Sequence, residues 1–247
     1  MIRVVIVGGG AVAGELTHQI AEAGGESRLA QQWTRSTHRV NDLAAADLYI
    51  LAVNDDAIAE ISAGLPFSPG SVVAHTAGSV EMSELWDGLP HRAVIYPLQT
   101  FTRGHRIANF RNIPFFIEGD TPHALATVRA TAEAIADQVV EMSSERRARL
   151  HLAAAFAGNF SNAMLSLAEE IAIDADESFD VLRPLVAETI SKALAMPSPR
   201  NAQTGPARRG NMTVQARHMA ILADSHPELV SLYRDISSQI WKISKKN

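Results

Sequence analysis

Short apolar segments alternate with longer amphipathic segments over the first 140 residues of the chain. Segments rich in β-branched residues predict strands that are buried on both faces, and segments with a period near 3.6 residues predict the helices between them. The predicted strands cover residues 2–7, 28–33, 47–53, 71–75, 93–96, 114–118 and 139–140, and the predicted helices cover residues 11–23, 57–63 and 123–136. This alternation predicts an α/β fold with a doubly wound, mainly parallel sheet.

The pattern changes near residue 143, beyond which only helical periods occur. Helices are predicted over residues 144–173, 178–196, 211–224 and 227–245, with a polar loop over residues 201–211. Pro197 and Pro199 end the second of these helices, because proline lacks the amide hydrogen that a helix interior needs. We therefore predict a Rossmann domain over residues 1–143 and an all-helical domain over residues 144–247.

A glycine-rich segment joins the first predicted strand to the first predicted helix. Gly8, Gly10 and Ala13 follow the spacing Gly-x-Gly-x-x-Ala. The first glycine permits a tight turn, the second lets a diphosphate approach the backbone, and the small third residue lets helix and strand pack closely. A glycine-rich turn without a ligand is the alternative. We predict that a dinucleotide binds here and contacts residues Gly8, Gly9, Gly10, Ala11, Val12 and Ala13.

The end of the second predicted strand indicates which dinucleotide binds. Sites specific for NAD place an Asp or a Glu there, and this carboxylate holds the ribose 2′-hydroxyl. Here the strand is followed by Thr34, Arg35 and Ser36, and the first carboxylate comes only at Asp42. Guanidinium and hydroxyl groups suit a 2′-phosphate. We therefore predict NADP as the cofactor, with a solvated surface arginine as the alternative role of Arg35.

Two further strand ends lie at the edge of the sheet where the cofactor is expected. Val53 and Asn54 end the third predicted strand, and His75 and Thr76 end the fourth. Because the carboxyl ends of parallel strands share one edge of a sheet, we predict that all four residues contact the cofactor. A buried histidine with a structural role is an equally good interpretation of His75.

Three polar residues interrupt the apolar first helix of the predicted helical domain. At about 100° per residue, His151, Asn159 and Asn162 share one face of this helix, and the small residues around them leave room for a ligand. A histidine titrates near neutrality and can donate a proton during hydride transfer, while the two amides can orient a carbonyl or an imine. Hydrogen bonds to a neighbouring helix are the alternative role.

Polar residues on two turns complete the candidate site. Gln99 and Thr100 follow a predicted strand, and we predict that they contact the nicotinamide or the substrate. Thr204 and Arg209 lie in the polar loop of the helical domain, where Arg209 could hold a substrate carboxylate. An ordinary turn explains the same loop equally well.

Composition and charge exclude several classes of function. The chain has 247 residues, a formal net charge of −5 and no cysteine. A negative charge does not suit nucleic acid, and a chain without cysteine has no disulfides, thiolate metal ligands or thiol catalysis. No apolar stretch approaches the ~20 residues of a membrane span, and no spacing typical of metal ligands occurs. We expect a cytoplasmic protein with a small-molecule substrate, in which the basic run at residues 146–149 is a solvated helix face.

Motifs spread over nearly the whole chain resemble one family. The resemblance rests on the segments VGGGAVA (7–13), AVNDDAI (52–58), HTAGS (75–79), YPLQTF (96–101), PFFIE (114–118), HLAAAFAGNFSN (151–162) and AQTGPARRGN (202–211). They are similar to those of Rossmann-like proteins with a C-terminal helical domain of unknown function, a family of candidate NADP oxidoreductases. More distantly, the chain resembles the 6-phosphogluconate dehydrogenase-like superfamily, which includes pyrroline-carboxylate and ketopantoate reductases. The resemblance implies NADP-linked hydride transfer and a homodimer formed through the C-terminal helices, but it supplies no substrate.

One departure limits what the resemblance implies. β-Hydroxyacid dehydrogenases carry a lysine on the first long helix after the Rossmann domain, and the corresponding helix here contains none. Oxidation of a β-hydroxyacid with a lysine as the acid or base is therefore not expected. Three hypotheses remain: an NADP-dependent oxidoreductase acting on a small polar carbonyl, imine or hydroxy compound; a non-catalytic protein that binds or senses NADP; and a deazaflavin-dependent NADP reductase.

Overall fold

A computed structural model describes residues 1–245 of the chain, which divides into two compact units. The first unit, Met1–Ser161, holds the sheet, and the second unit begins at Asn162 and is helical. The first unit therefore extends beyond residue 143 and includes most of the long helix that begins there. None of the helices formed by the described residues is both long and apolar enough to cross a membrane.

Within residues 1–245 the sheet has seven strands, at each of the places where the sequence predicts one. They are β1 (Ile2–Val7), β2 (Ser27–Trp33), β3 (Leu48–Leu51), β4 (Val72–His75), β5 (His91–Pro97), β6 (Phe115–Gly119) and β7 (Val139–Glu141). The strand order is β2-β1-β3-β4-β5-β6-β7. Strands β5 and β6 pair antiparallel and all other neighbours pair parallel. The predicted doubly wound, mainly parallel sheet is confirmed.

Helices cover both faces of this sheet, which explains why β1 is apolar at successive positions. The helices of the first unit are α1 (Ala11–Ala23), α2 (Ile58–Gly64), α3 (Pro122–Ile135) and α4 (Ser144–Ala155). Val4 and Ile6 pack in a core cluster with residues of α1 and α3. Val5 and Val7 point to the other face and pack in a second cluster that includes Ile58 of α2. Alternate residues of one strand thus stabilise two layers.

Up to residue 245, the regular structure of the second unit is helical throughout. They are α5 (Ser161–Ile173), α6 (Arg183–Ala195), α7 (Pro199–Ala202), α8 (Pro206–Arg209), α9 (Met212–Ser225) and α10 (Leu229–Ser244), of which α5 starts at the last residue of the first unit. The prediction of an unbroken loop over residues 201–211 is wrong, because α8 and the end of α7 lie within it. Pro199 and Pro206 stand at the first position of these short helices, where a missing amide hydrogen costs nothing.

Candidate active site

The segment after β1 turns sharply at Gly8, whose φ angle of +141° favours glycine. A β-carbon at Gly8 would lie 2.9 Å from the carbonyl carbon of Ala52, just beyond β3. The turn therefore sits between β1 and β3, where the strand order reverses, which is the place where open α/β sheets bind ligands. A β-carbon at Gly10 would meet no atom of residues 1–245 within 4 Å, so the opposite side of the turn is open to a ligand.

An open recess of about 440 Å³ lies over this turn. It is lined by Gly8, Gly9, Gly10, Ala11, Val12, Ala52, Val53, Asn54, Ala57 and Thr76. Of the turn residues predicted to contact the dinucleotide, Ala13 does not line this recess. It is fully buried, and its methyl group lies 3.4 Å from the β-carbon position of Gly8. The first turn of α1 has no side-chain cap and no acidic residue, so its amide groups are available to an anion.

Hydroxyl groups cluster at the end of β2, beside the glycine turn. Thr34 Oγ1 lies 3.1 Å from Ser36 Oγ and 2.5 Å from Thr37 Oγ1. Arg35 projects into solvent and pairs with Glu60, with 3.1 Å between Nη2 and Oε1. An ion pair this exposed contributes at most about 1 kcal/mol. The guanidinium can therefore exchange Glu60 for a stronger anion such as a phosphate.

His75 lies beneath the loop that follows β4. Its side chain is fully buried, and its Nδ1 accepts a hydrogen bond from the Ala77 amide at 3.2 Å. Burial, assisted by the positive charge of Arg147, lowers the pKa of His75 to about 4. The imidazole therefore stays neutral and presents no surface to a ligand, whereas Thr76 next to it lines the recess.

A His75→Asn variant is expected to reduce the loss of stability in acid. A histidine in the unfolded chain titrates near pH 6.5, so the stability that neutral His75 contributes is fully present above that pH and is lost as the pH falls towards 4. At pH 4.5 the resulting loss of unfolding free energy is roughly 2–3 kcal/mol. Asn keeps an acceptor for the Ala77 amide but does not titrate. Denaturant titrations at pH 7 and pH 4.5 should show a smaller fall for His75→Asn, while the exposed His105→Asn control behaves like the wild type. An equal fall in the free energy of unfolding of all three proteins would contradict the low pKa of His75.

The hydroxyl of Tyr96, at the end of β5, lies 3.0 Å from Nδ1 of His151 on α4. Both rings pack on the backbone of Gly78, where a β-carbon would lie 2.9 Å from Tyr96 Cζ and 2.7 Å from His151 Cγ. Burial raises the pKa of Tyr96, so its hydroxyl stays protonated and can accept a hydrogen bond from Nδ1 or donate one to it. In either case Nδ1 is engaged, and Nε2 is the ring nitrogen left for a substrate.

Arg147 is fully buried one helical turn before His151, so the prediction of a solvated basic face is wrong for this residue. Its Nη1 donates to Glu118 Oε2 of β6 at 2.6 Å, and its Nη2 donates to the Val80 carbonyl at 2.5 Å. Ser144 donates to the same Glu118 oxygen at 2.6 Å. The helical period could not reveal this burial, because the partner is supplied by a distant strand.

The segment between α4 and α5 changes the geometry expected for the predicted asparagines. Residues Phe156–Phe160 form a π-helical turn, which admits an extra residue, so an increment of 100° per residue does not hold beyond α4. Asn159 lies in this turn and Asn162 starts the second unit, and both are exposed. Within the turn, the β-carbon position of Gly158 lies 3.5 Å from Thr100 Cγ2.

The other predicted residues are divided between the two units. Gln99 and Thr100 are exposed after β5, and the Thr100 amide donates to Gln99 Oε1 at 2.8 Å. Thr204 and Arg209 are exposed in the helical unit, just before α8 and at its last residue. The structure thus brings His151 to Tyr96, a residue that the sequence analysis did not place in the site. The shared segments YPLQTF and HLAAAFAGNFSN, which contain these two residues, were the available signal.

Comparison with known proteins finds relatives along the whole chain. A family model described as a domain of unknown function, DUF2520, matches residues 113–240. A candidate NADP oxidoreductase from Bacteroides fragilis is 32% identical, with a TM-score of 0.86 and 98% of each chain covered. A protein from Thermotoga maritima is 19% identical, with a TM-score of 0.70 and 98% of each chain covered. A pyrroline carboxylate reductase from Plasmodium falciparum with NADP bound is 11% identical, with a TM-score of 0.56 and coverage of 99% of this chain and 100% of that one. No curated protein matches.

Proposed function

The chain belongs to the DUF2520 family, and we propose that it is an NADP-dependent oxidoreductase that transfers hydride between NADP(H) and a small polar carbonyl, imine or hydroxy compound. The observation that carries this proposal is the glycine turn, whose amide groups open onto a recess of about 440 Å³ between β1 and β3. The relative from Bacteroides fragilis, a candidate NADP oxidoreductase, supports it. A cytoplasmic location, where NADPH is available, is part of the proposal.

Each group of residues has a role in this proposal. When bound, NADPH supplies the hydride. The first amides of α1 hold the diphosphate, and the hydroxyls of Thr34 and Ser36 with the guanidinium of Arg35 hold the 2′-phosphate. His151 donates its Nε2 proton to the oxygen or nitrogen of the group that is reduced, and Tyr96 holds the other ring nitrogen.

The side chains of Gln99, Thr100 and Asn159 remain the candidates for orienting the substrate, because all three are exposed. A screen of aldehydes, imines and ketoacids, followed by the loss of NADPH absorbance, tests the proposed reaction. Tight binding of NADPH without turnover of any of these classes would favour the non-catalytic hypothesis.

An Arg35→Ala variant is expected to bind NADPH about 10- to 100-fold more weakly and to bind NADH unchanged, because a charge-assisted hydrogen bond contributes roughly 1.5–3 kcal/mol. Glu60→Gln is the matched variant, since it releases Arg35 from its ion pair and removes a negative charge near the 2′-phosphate. Glu60→Gln should lower the Kd of NADPH and leave the Kd of NADH unchanged. Calorimetric titration of the three proteins with both cofactors measures these changes. Equal affinity of the wild type for NADPH and NADH, with no loss on Arg35→Ala, would refute the preference for NADP.

We also propose that two copies of the chain form a homodimer through the helical unit. Among the described residues of this unit, Ala207 and Leu222 are the only buried apolar side chains. Helices α5 and α6 bury no residue at all and expose large apolar side chains at Met164, Ile171, Ile173, Leu185, Ile190 and Leu194. A helix that is apolar on several sides needs a partner surface, and two copies of one surface form a closed, symmetric interface.

A Leu185→Glu variant is expected to shift this dimer to a 26.6 kDa monomer, because the substitution places a charge among the exposed apolar side chains of α6. Light scattering after size exclusion measures the mass. Val40→Glu is the control, since Val40 is an exposed apolar residue of the first unit. It should leave the mass unchanged. A monomeric wild type, or a dimeric Leu185→Glu variant, would exclude this interface.

A further inference from the structure

A long loop, residues 98–114, joins β5 to β6 and reaches the glycine turn. Helix α1 anchors it at Ile107, whose amide donates to Glu15 Oε2 at 3.2 Å and whose carbonyl accepts from Gln19 Nε2 at 3.1 Å. Phe101 and Ile107 also pack against the hydrophobic core. Both ends of the segment 102–106 are therefore fixed, and the five residues between the anchors have a defined position over α1.

These residues form a tight turn that presents one arginine. The His105 amide donates to the Thr102 carbonyl at 3.1 Å, and Gly104 has a φ angle of +83°. This is the pattern of a type II turn, in which the third position favours glycine. Arg103 occupies the second position, and its Nη2 donates to the Gly9 carbonyl at 3.1 Å. A guanidinium is thus held directly on the glycine turn.

Basic side chains outnumber carboxylates around this guanidinium. The start of α1 carries a partial positive charge and no acidic side chain in its first turn. A recess of about 280 Å³ lies between the turn and the loop, lined on the loop side by Arg103, His105 and Arg106. Its one carboxylate, Glu15, is buried and bonded to the Ile107 amide. An anion that lies between two positive groups is attracted by both of them.

We propose that Arg103 is a second binding group for the diphosphate of the dinucleotide, held over the glycine turn by the loop between β5 and β6. The inference rests on the proposed function, because it assumes that a dinucleotide binds at this turn. A guanidinium has five N–H donors and can bind two oxygens of a diphosphate while one donor remains on Gly9. Arg103 therefore binds the diphosphate, which NADPH and NADH share, whereas Arg35 binds the 2′-phosphate, which only NADPH carries.

The test compares Arg103→Gln with the wild type by calorimetric titration with NADPH, NADH and ADP-ribose. We expect the Kd of all three ligands to rise by the same factor, about 10-fold, because one charge-assisted contact is lost. The ratio of the NADPH and NADH Kd values should stay constant. Arg111→Gln is the matched control, since Arg111 lies in the same loop and pairs with Asp137 at 3.3 Å. It should leave all three Kd values unchanged.

Each outcome of this comparison decides between named alternatives. Equal Kd values for the wild type and Arg103→Gln, in variants whose thermal unfolding is unchanged, would overturn the inference and leave the proposed function standing. A higher KM for a carbonyl substrate with unchanged dinucleotide Kd values would assign Arg103 to a substrate anion and would also overturn it. A wild type that binds none of the three ligands would overturn the proposed function together with this inference.

Discussion

An Arg147→Met variant is expected to lower the free energy of unfolding by about 3–5 kcal/mol. Arg147 is only 1% exposed, and its guanidinium is the partner of Glu118 on β6. Methionine fills much of the volume but leaves the Glu118 carboxylate, which is 19% exposed and bonded to Ser144, without its counter-ion. The Val80 carbonyl would lose its hydrogen bond from Nη2 as well. Denaturant titration at pH 7 measures the loss.

Two further variants separate the buried charge from the loss of a side chain. In Arg147→Met combined with Glu118→Gln no charge remains unpaired, so a large part of the lost stability should return. Arg149→Met removes an arginine from an exposed pair with Glu145 on the same helix, and it should cost less than about 1 kcal/mol. A loss in Arg147→Met no larger than that in Arg149→Met would show that the buried pair contributes nothing to stability.

The Arg147 network also determines where α4 sits on the first unit. Ser144 accepts a hydrogen bond from the Met82 amide at 3.0 Å and donates to Glu118, so the start of the helix is tied to β6 and to the loop after β4. His151 follows Arg147 by one helical turn and meets Tyr96 and Gly78 on the same side. The stability of this network and the position of the candidate proton donor are therefore coupled.

Local patterns in the sequence were sufficient to predict the fold and the family, and both predictions are confirmed. Strand β1 and helix α1 have the predicted bounds, because β-branched residues, a glycine turn and a helical period follow each other without a break. The antiparallel pairing of β5 and β6 has no such local signal, since it depends on the path of the loop over residues 98–114.

The contacts of the candidate site depend on pairs of residues that lie far apart in the sequence. Tyr96 and His151 are 55 positions apart, Arg103 and Gly9 are 94 positions apart, and no periodicity reports such contacts. No periodicity reports the proximity of Gly158, in the π-helical turn after α4, to Thr100 of another loop. Sequence patterns locate residues on faces and edges, whereas side-chain partners follow from the tertiary packing.

A His151→Ala variant is expected to lower kcat for the reduction found by the NADPH screen by about 10²- to 10⁴-fold, the usual contribution of a positioned general acid. The Kd for NADPH should stay within a factor of about two, because His151 does not line the recess over the glycine turn. Tyr96→Phe keeps the ring on Gly78 and removes only the hydrogen bond to Nδ1. It should lower kcat about 5-fold, which corresponds to a net hydrogen bond of ~1 kcal/mol.

Two measurements distinguish a proton donor from a residue that only supports the fold. Added imidazole should restore part of the turnover of His151→Ala, because a free imidazolium can occupy the space left on Gly78 and donate the missing proton. His218→Ala is the matched control, since His218 also pairs with a tyrosine, at 2.8 Å from Tyr233 Oη, but lies in the helical unit. It should leave kcat unchanged. Full turnover in His151→Ala would exclude His151 as the donor and would direct the search for the acid to Tyr96, whose hydroxyl is the nearest proton in the same cluster.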